Sequence, residues 1–213
     1  MNGWKILVIG DSHIPRRAKE IPESIIEGLN QLTISDLFDY TFCTGDIVRK
    51  TDFLDFLRSK TKNKFHIVMG NMDRYSNQEN IPVYESLTLS DSEKPNNNDL
   101  TIGLTHGFQI SPRGDHSLLE NLAKERHFNI LISGHTHKEE VFLTKEGILL
   151  LNPGSVTGAW SFVASEIPSF ITIKIDPDFS LEVDLYRLDR KTHNLDISNF
   201  YFRFINGKIK SKY

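Results

Sequence analysis

The sequence predicts an α/β fold in which two β-sheets pack face to face with helices on the outside. Three observations carry that expectation. The first seventy residues alternate apolar strand-length runs with amphipathic helical segments, which is the pattern of parallel strands covered by helices. Beyond Lys138 only strand-type segments follow, so the second half is rich in sheet. The chain has 213 residues, 38% hydrophobic and 25% charged, enough for one sizeable core and short for two. Residues 1–213 therefore read as a single domain, with 191–213 supplying a C-terminal strand and a basic tail.

The elements follow in order. Residues 4–9 form the first strand and Gly10 to Pro15 a loop. Pro22 suits the first turn of a helix with Ile25, Leu29 and Leu32 on one face. A strand at 38–44 precedes a helix capped by Thr51, with Phe53, Leu54 and Leu57 on its buried side. Strands at 65–68 and 83–89 come next. Ser90 to Asp99, rich in Asn, Asp and Ser, reads as an exposed loop before a strand at 100–105. Asp115 is a good N-cap for a helix striped by Leu118, Leu119 and Leu122. The strand 130–133 is followed by hairpins 139–144/148–151 and 169–175/180–187. Residues 197–205 alternate apolar and polar, and Asn206-Gly207 is a strong turn signal.

Composition narrows the function. A formal charge of −3 gives no bulk attraction to nucleic acid or acidic membrane, and Lys208, Lys210 and Lys212 read as a solvated tail. The single cysteine, Cys43, permits no internal disulfide and reads as a core residue. No apolar run is long enough for a transmembrane segment, and Met1 leads into a strand without a signal-peptide pattern, which predicts a cytoplasmic protein. There is no Walker or Rossmann glycine-rich loop and no serine or cysteine nucleophile motif.

What remains is a repeated arrangement of apolar strand, small residue, then ligand-type side chain. Ile6-Leu7-Val8-Ile9-Gly10 leads to Asp11 and His13, and Thr41-Phe42-Cys43-Thr44-Gly45 to Asp46. His66-Ile67-Val68-Met69-Gly70 leads to Asn71 and Asp73, and Ile102-Gly103-Leu104-Thr105 to His106. Ile130-Leu131-Ile132-Ser133-Gly134 leads to His135 and His137. In parallel sheets ligands bind at the carboxyl ends of strands, which is where these residues fall. Four imidazoles, two carboxylates and one amide exceed what one tetrahedral zinc needs. They suit two divalent cations, Mn²⁺ or Zn²⁺ foremost with Fe or Ni possible. Asp46, alone in its motif, is suited to bridge them. His66 reads as a structural histidine, and His116, His127 and His193 as solvated.

The motifs Asp11-Ser12-His13, Gly45-Asp46, Gly70-Asn71-Met72-Asp73, Thr105-His106-Gly107 and Gly134-His135-Thr136-His137 resemble, in order and spacing, those of the calcineurin-like metallophosphoesterases. Asn152-Pro153-Gly154-Ser155 matches the family's small phosphodiesterase branch. The resemblance implies a four-layer αββα sandwich of two mixed sheets. It implies that Asp11, His13 and His137 hold one metal, and Asn71, His106 and His135 the other, with Asp46 between them. It also implies phosphodiester hydrolysis by a hydroxide bridging the two ions. Where many relatives place a proton-donating histidine, this chain has Met72. Asp73 is then either a substitute donor or a residue that orients the loop. Phe108 stands where relatives often have a histidine near the phosphate, and is either a substrate contact or a loop anchor.

A narrower likeness joins it. Gly10 to Arg16, Cys43-Thr44-Gly45, Ser133 to Lys138, Asn152 to Ala159 and Ile167-Pro168-Ser169-Phe170 resemble the retromer subunit of vacuolar protein sorting built on this fold. That likeness implies a scaffold that docks a helical-solenoid protein partner. The polar stretch Gln109 to Arg113 departs from the hydrophobic docking surface of that subunit. Trp160 and Phe162 are either an exposed apolar patch or, more simply, core.

Overall fold

The computed structural model describes residues 3–47, 51–73, 81–90 and 99–212. The first half runs β1 (Trp4–Ile9), α1 (Glu23–Leu32), β2 (Phe38–Cys43), α2 (Thr51–Ser59), β3 (Thr61–Ile67), β4 (Tyr84–Leu89) and β5 (Leu100–Thr105). It continues through α3 (His116–Glu125), β6 (Ile130–Ile132), β7 (Glu139–Leu143) and β8 (Leu149–Pro153). Four strands close it: β9 (Ser169–Ile175), β10 (Ser180–Leu188), β11 (Leu195–Ile205) and β12 (Lys208–Ser211).

Two mixed sheets result. The larger has the order β12-β11-β10-β9-β1-β2-β3, and the smaller β4-β5-β6-β8-β7. β1, β2 and β3 run parallel, as do β5, β6 and β8, while the remaining pairings are antiparallel.

Alternation along each strand builds the layers. Ile6 and Val8 of β1 pack with Ile102, Leu104, Ile130, Ile132, Leu149 and Leu151 of the opposing sheet. Their neighbours Leu7 and Ile9 turn outward to Ile25 and Leu29 of α1 and to Phe53, Leu54 and Leu57 of α2. On the smaller sheet, Leu131 and Leu150 face Leu119 and Ala123 of α3. The order is helices, sheet, sheet, helix, which is the expected sandwich. Each isoleucine or leucine buried this way contributes roughly 1.5–3 kcal/mol.

Several local expectations change. Leu118 is 40% exposed, and α3 packs through Leu119, Leu122 and Ala123 instead. Those three lie on one stripe of the helix, and Leu118 sits a 100° step away from Leu119. Asp115 caps this helix as expected, accepting from the Leu118 N–H at 2.9 Å. Pro22 lies just outside α1, where its carbonyl accepts from Ile25 and Ile26. Thr51 is the first residue of α2, and its side chain lies outside the described residues. β3 starts at Thr61 rather than 65, because an edge strand can carry the polar run Thr61 to Lys64. The loop expected over Ser90 to Asp99 falls outside the described residues at 91–98. The basic tail is a correction: Lys208 to Ser211 form β12, which pairs with β11 and buries Ile209 while Lys208 and Lys210 face outward.

Candidate metal centre

The carboxyl ends of β1, β2, β3, β5 and β6 bring the expected ligand residues together. Asp11, His13, Asp46, His106, His135 and His137 are all buried. To turn their side chains off the sheet edge, five adopt left-handed backbone: Asp11 at φ 53, His13 at 50, Asp46 at 52, His135 at 69 and His137 at 57. Each such residue costs roughly 1–2 kcal/mol, and the clustering of that strain marks a functional site. Two glycines make room. A Cβ on Gly70 would meet Asp46 Oδ1 at 1.9 Å, and one on Gly134 would meet Asp11 Oδ2 at 2.3 Å.

The donor atoms converge. His13 Nε2 lies 2.9 Å from His137 Nε2, which is 3.3 Å from Asp11 Oδ1. Asp46 Oδ2 lies 3.4 Å from His13 Nε2 and 3.5 Å from His106 Nε2. Asn71 Oδ1 is 3.2 Å from His106 Nε2. Two overlapping sets therefore exist, Asp11/His13/His137 and Asp11/Asp46/His106, the ligand atoms of each lying within 4.8 Å of one another. His135 stands beside them with its ring 5.1 Å from that of His106, while its backbone N–H faces Asp11 at 3.3 Å.

Surrounding hydrogen bonds fix which atoms face inward. His106 donates Nδ1–H to the Thr44 carbonyl and His137 donates Nδ1–H to the Ala159 carbonyl, each at 2.8 Å. Their Nε2 lone pairs are thus turned toward the cluster. Asp46 Oδ1 accepts from the Met72 N–H at 2.7 Å, leaving Oδ2 to the imidazoles. Asp11 Oδ2 accepts from Thr44 Oγ1 at 2.9 Å. Imidazole nitrogens, carboxylate oxygens and an amide oxygen facing one another at these distances are electron-pair donors with few protons to share, and they fit divalent cations.

The charges are strongly perturbed. Burial presses the Asp11 carboxyl upward, but bonding to His13 and His137 overrides it and holds the group well below the usual range. Burial wins at Asp46, whose carboxyl is raised despite the opposing pull of His106. His135 is pushed down to about 3 by burial and by the charges of His106 and Arg113. That keeps its imidazole neutral, as ligation requires.

Against known proteins, residues 4–178 match the calcineurin-like phosphoesterase superfamily domain. The chain belongs to this superfamily. It is 37% identical over 150 residues to a probable metallophosphoesterase of Methanocaldococcus jannaschii, a match covering 70% of this chain and 67% of that protein. Its fold is similar to Vacuolar Protein Sorting 29 of Cryptosporidium parvum, with TM-score 0.78 and 32% identity, over 94% of this chain and 99% of that one. It is also similar to wild-type Vps29 of Entamoeba histolytica complexed with Zn²⁺, with TM-score 0.75 and 30% identity, over 94% and 99%.

Other residues of this superfamily member differ from expectation or went unnoticed. Asp73 Oδ2 accepts from the backbone N–H of Asp46 at 2.7 Å and of Gly70 at 3.0 Å, bonds that orient the loop. Phe108 is half-buried with its ring 6.1 Å from that of His106. Thr44, Ser155 and Thr157 were missed. Ser155 Oγ and Thr157 Oγ1 donate to the carbonyls of Asp11 and Ser12, at 2.7 and 3.0 Å. Only the Asn-Pro-Gly-Ser and Cys-Thr-Gly stretches hinted at these supports. His66 is buried and donates Nδ1–H to Glu85 at 3.0 Å, the structural role expected. His116 is not simply solvated: it bonds Glu140 at 2.8 Å and stacks on Phe142. His127 and His193 are exposed, as expected. Cys43 is buried in the core, which pushes its thiol up to about 12. Trp160 and Phe162 are exposed, which corrects the simpler expectation of core packing. Among the described residues no helix is long and apolar enough to cross a membrane.

Proposed function

We propose that this chain is a cytoplasmic, metal-dependent phosphodiesterase. The observation that carries the reading is the position of Asp46 Oδ2, 3.4 Å from His13 Nε2 and 3.5 Å from His106 Nε2, between two groups of donors. In this reading Asp11, His13 and His137 hold one cation and Asn71, His106 and His135 a second, with Asp46 shared. Mn²⁺ or Zn²⁺ suits this set best, and Fe or Ni is compatible with it. When bound, such cations supply a nucleophilic water at neutral pH and neutralise charge on the phosphoryl oxygens.

The chain's own residues do the positioning. The Met72 N–H holds one oxygen of Asp46 so that the other stays aimed at the cluster. Asp73, tied to two backbone N–H groups, fixes the loop that presents Asn71. The Asn71 side-chain NH₂ is left to donate to a phosphoryl oxygen, and the Phe108 ring flanks the substrate beside His106. The Met72 side chain has no proton to give a leaving group, a loss of roughly 10²–10⁴-fold for poor ones. The preferred substrates are therefore phosphodiesters with stable leaving groups.

The test is hydrolysis of bis(p-nitrophenyl) phosphate by metal-free protein resupplied with Mn²⁺, beside Asp46→Asn prepared identically. The variant should lose at least about 100-fold in kcat/KM, equivalent to about 2.7 kcal/mol of transition-state stabilisation. Undiminished turnover in Asp46→Asn, or no turnover with Mn²⁺, Zn²⁺, Fe²⁺ or Ni²⁺, would sink the reading. A second reading, a scaffold docking a helical-solenoid protein, is supported by the likeness to Vps29 over nearly its whole length. Under it, Asp46→Asn would keep full affinity for that partner.

A further inference from the structure

Three of the large apolar side chains exposed among the described residues fall in one short segment after β8. They are Trp160 at 52%, Phe162 at 80% and Val163; others, such as Ile34 and Ile197, lie far from them in the chain. Single exposed apolar residues are ordinary, but a cluster is not. The two rings meet edge to face with centroids 5.1 Å apart, so they form a corner of aromatic surface.

That corner is tied to the metal centre at several points. The Ala159 carbonyl, next to Trp160, accepts from His137. Ser161, between the two rings, donates to the carbonyl of Thr136, which lies between His135 and His137. Arg17 donates to the Trp160 carbonyl at 2.8 Å, and the Arg113 guanidinium lies over the Phe162 ring at 5.6 Å.

We infer that the Trp160–Phe162 corner is a subsite for the planar ring of a nucleotide-type phosphodiester, with Arg113, layered on Phe162, and Arg17, held at the Trp160 carbonyl, supplying positive charge beside it. The inference deepens the phosphodiesterase reading and rests on it for the substrate. An aromatic pair with a guanidinium layered on one ring is the arrangement that stacks nucleobases. An acyl chain would use the apolar area and leave the guanidinium stack without purpose. A purely apolar protein surface would match the rings and gain nothing from the two positive charges beside them.

The experiment compares two probes that differ only in the base, adenosine 5′-monophosphate and ribose 5-phosphate. Their binding to Mn²⁺-loaded full-length protein is measured by calorimetry. The wild type should bind the nucleotide roughly tenfold tighter or more. Trp160→Ala and Phe162→Ala should bring it down to the level of ribose 5-phosphate, whose own affinity stays constant, while Trp160→Phe keeps most of the advantage. Both positions are exposed, so the fold should tolerate the changes. Equal affinity for the two probes in the wild type would overturn the inference and leave the corner to a protein partner. An advantage that survives both alanine variants would overturn it as well. Hydrolysis is scored separately. A chain that cleaves diesters with no base preference loses only the ring subsite, and one that cleaves none but keeps the preference loses only the phosphodiesterase reading.

Discussion

The parallel and antiparallel parts of this molecule are built from the same kinds of apolar residue, yet only the parallel part gathers the candidate metal ligands. β1, β2 and β3, and β5 and β6 opposite them, all end toward one edge and leave the sheet there. None of these parallel neighbours is joined by a hairpin, so the residue after each strand is free to turn its side chain inward. In β9 to β12 the corresponding positions are consumed by turns. Left-handed residues occur there too, at Phe179 and Asn206, but they serve chain reversal. The difference teaches that topology, more than residue type, decides which strand ends can converge on a common centre.

The largest expected effect tests how tightly the parallel edge is built. Gly70→Ala would place a Cβ 1.9 Å from Asp46 Oδ1 and 2.4 Å from Asp46 N. Asp46 has little room to retreat, because Asp73 holds its N–H and Met72 its carboxylate. Hydrolysis should fall by at least about 100-fold, with a stability loss of about 1–3 kcal/mol in urea titration. A fully active Gly70→Ala would break the comparison.

Asp73 comes next. Removing its carboxylate in Asp73→Ala strips acceptors from two backbone N–H groups, at about 1–3 kcal/mol each. Asp73→Asn keeps an acceptor and should recover much of that stability. If Asp73 only orients the loop, the pH–rate profile of Asp73→Asn will keep its shape while kcat/KM drops. Loss of the alkaline limb would instead identify Asp73 as a proton donor.

The third prediction concerns pH, at a site away from the ligands. His66 is buried against the Phe42 ring, its Nδ1–H is given to Glu85, and its Nε2 has no partner among the described residues. Burial lowers its pKa below the ordinary 6.5, with Glu85 pulling the other way and Lys64 adding to the decrease. The folded state therefore binds the proton less readily than the unfolded one. Its stabilising contribution is complete above about pH 6.5 and is lost as pH falls toward the folded pKa. In His66→Gln, which retains a donor for Glu85, the slope of stability against pH should flatten in that window. An unchanged slope would remove His66 from the account.

Most of the candidate site was legible because strand, glycine and ligand-type residue recur in one order, and parallel strands must end together. Asp11, His13, Asp46, His106 and His137 needed nothing more. Asn71 and His135 were legible as ligand-type residues, but their distances from the others depend on loops that no periodicity describes. Asp73 could be seen as titratable and not as tied to Asp46, since that bond spans 27 residues. In the fold, β12 was hidden because an edge strand with outward lysines looks like a solvated tail. The exposure of Trp160 was hidden for the opposite reason: an aromatic residue in a short apolar segment reads as core, and nothing in its spacing tells which way the ring turns.

The smallest effect belongs to the antiparallel part and completes the contrast with Gly70. Gly207 sits at φ 77 in the β11–β12 turn, and a Cβ there would meet nothing within 4 Å. Gly207→Ala therefore costs only the left-handed backbone penalty, about 1 kcal/mol, visible as a small shift in thermal midpoint. Its kcat/KM should equal that of the wild type, because this turn touches the fold through main-chain groups that alanine keeps, the Gly207 carbonyl accepting from Asn129 and the Ile209 N–H donating to the Gly147 carbonyl. If this substitution slowed hydrolysis, the two parts would have to be coupled, through Asn129 at the start of β6 or through β9, which pairs with β1. Equal activity with a lower midpoint would establish that the antiparallel strands support the centre without tuning it.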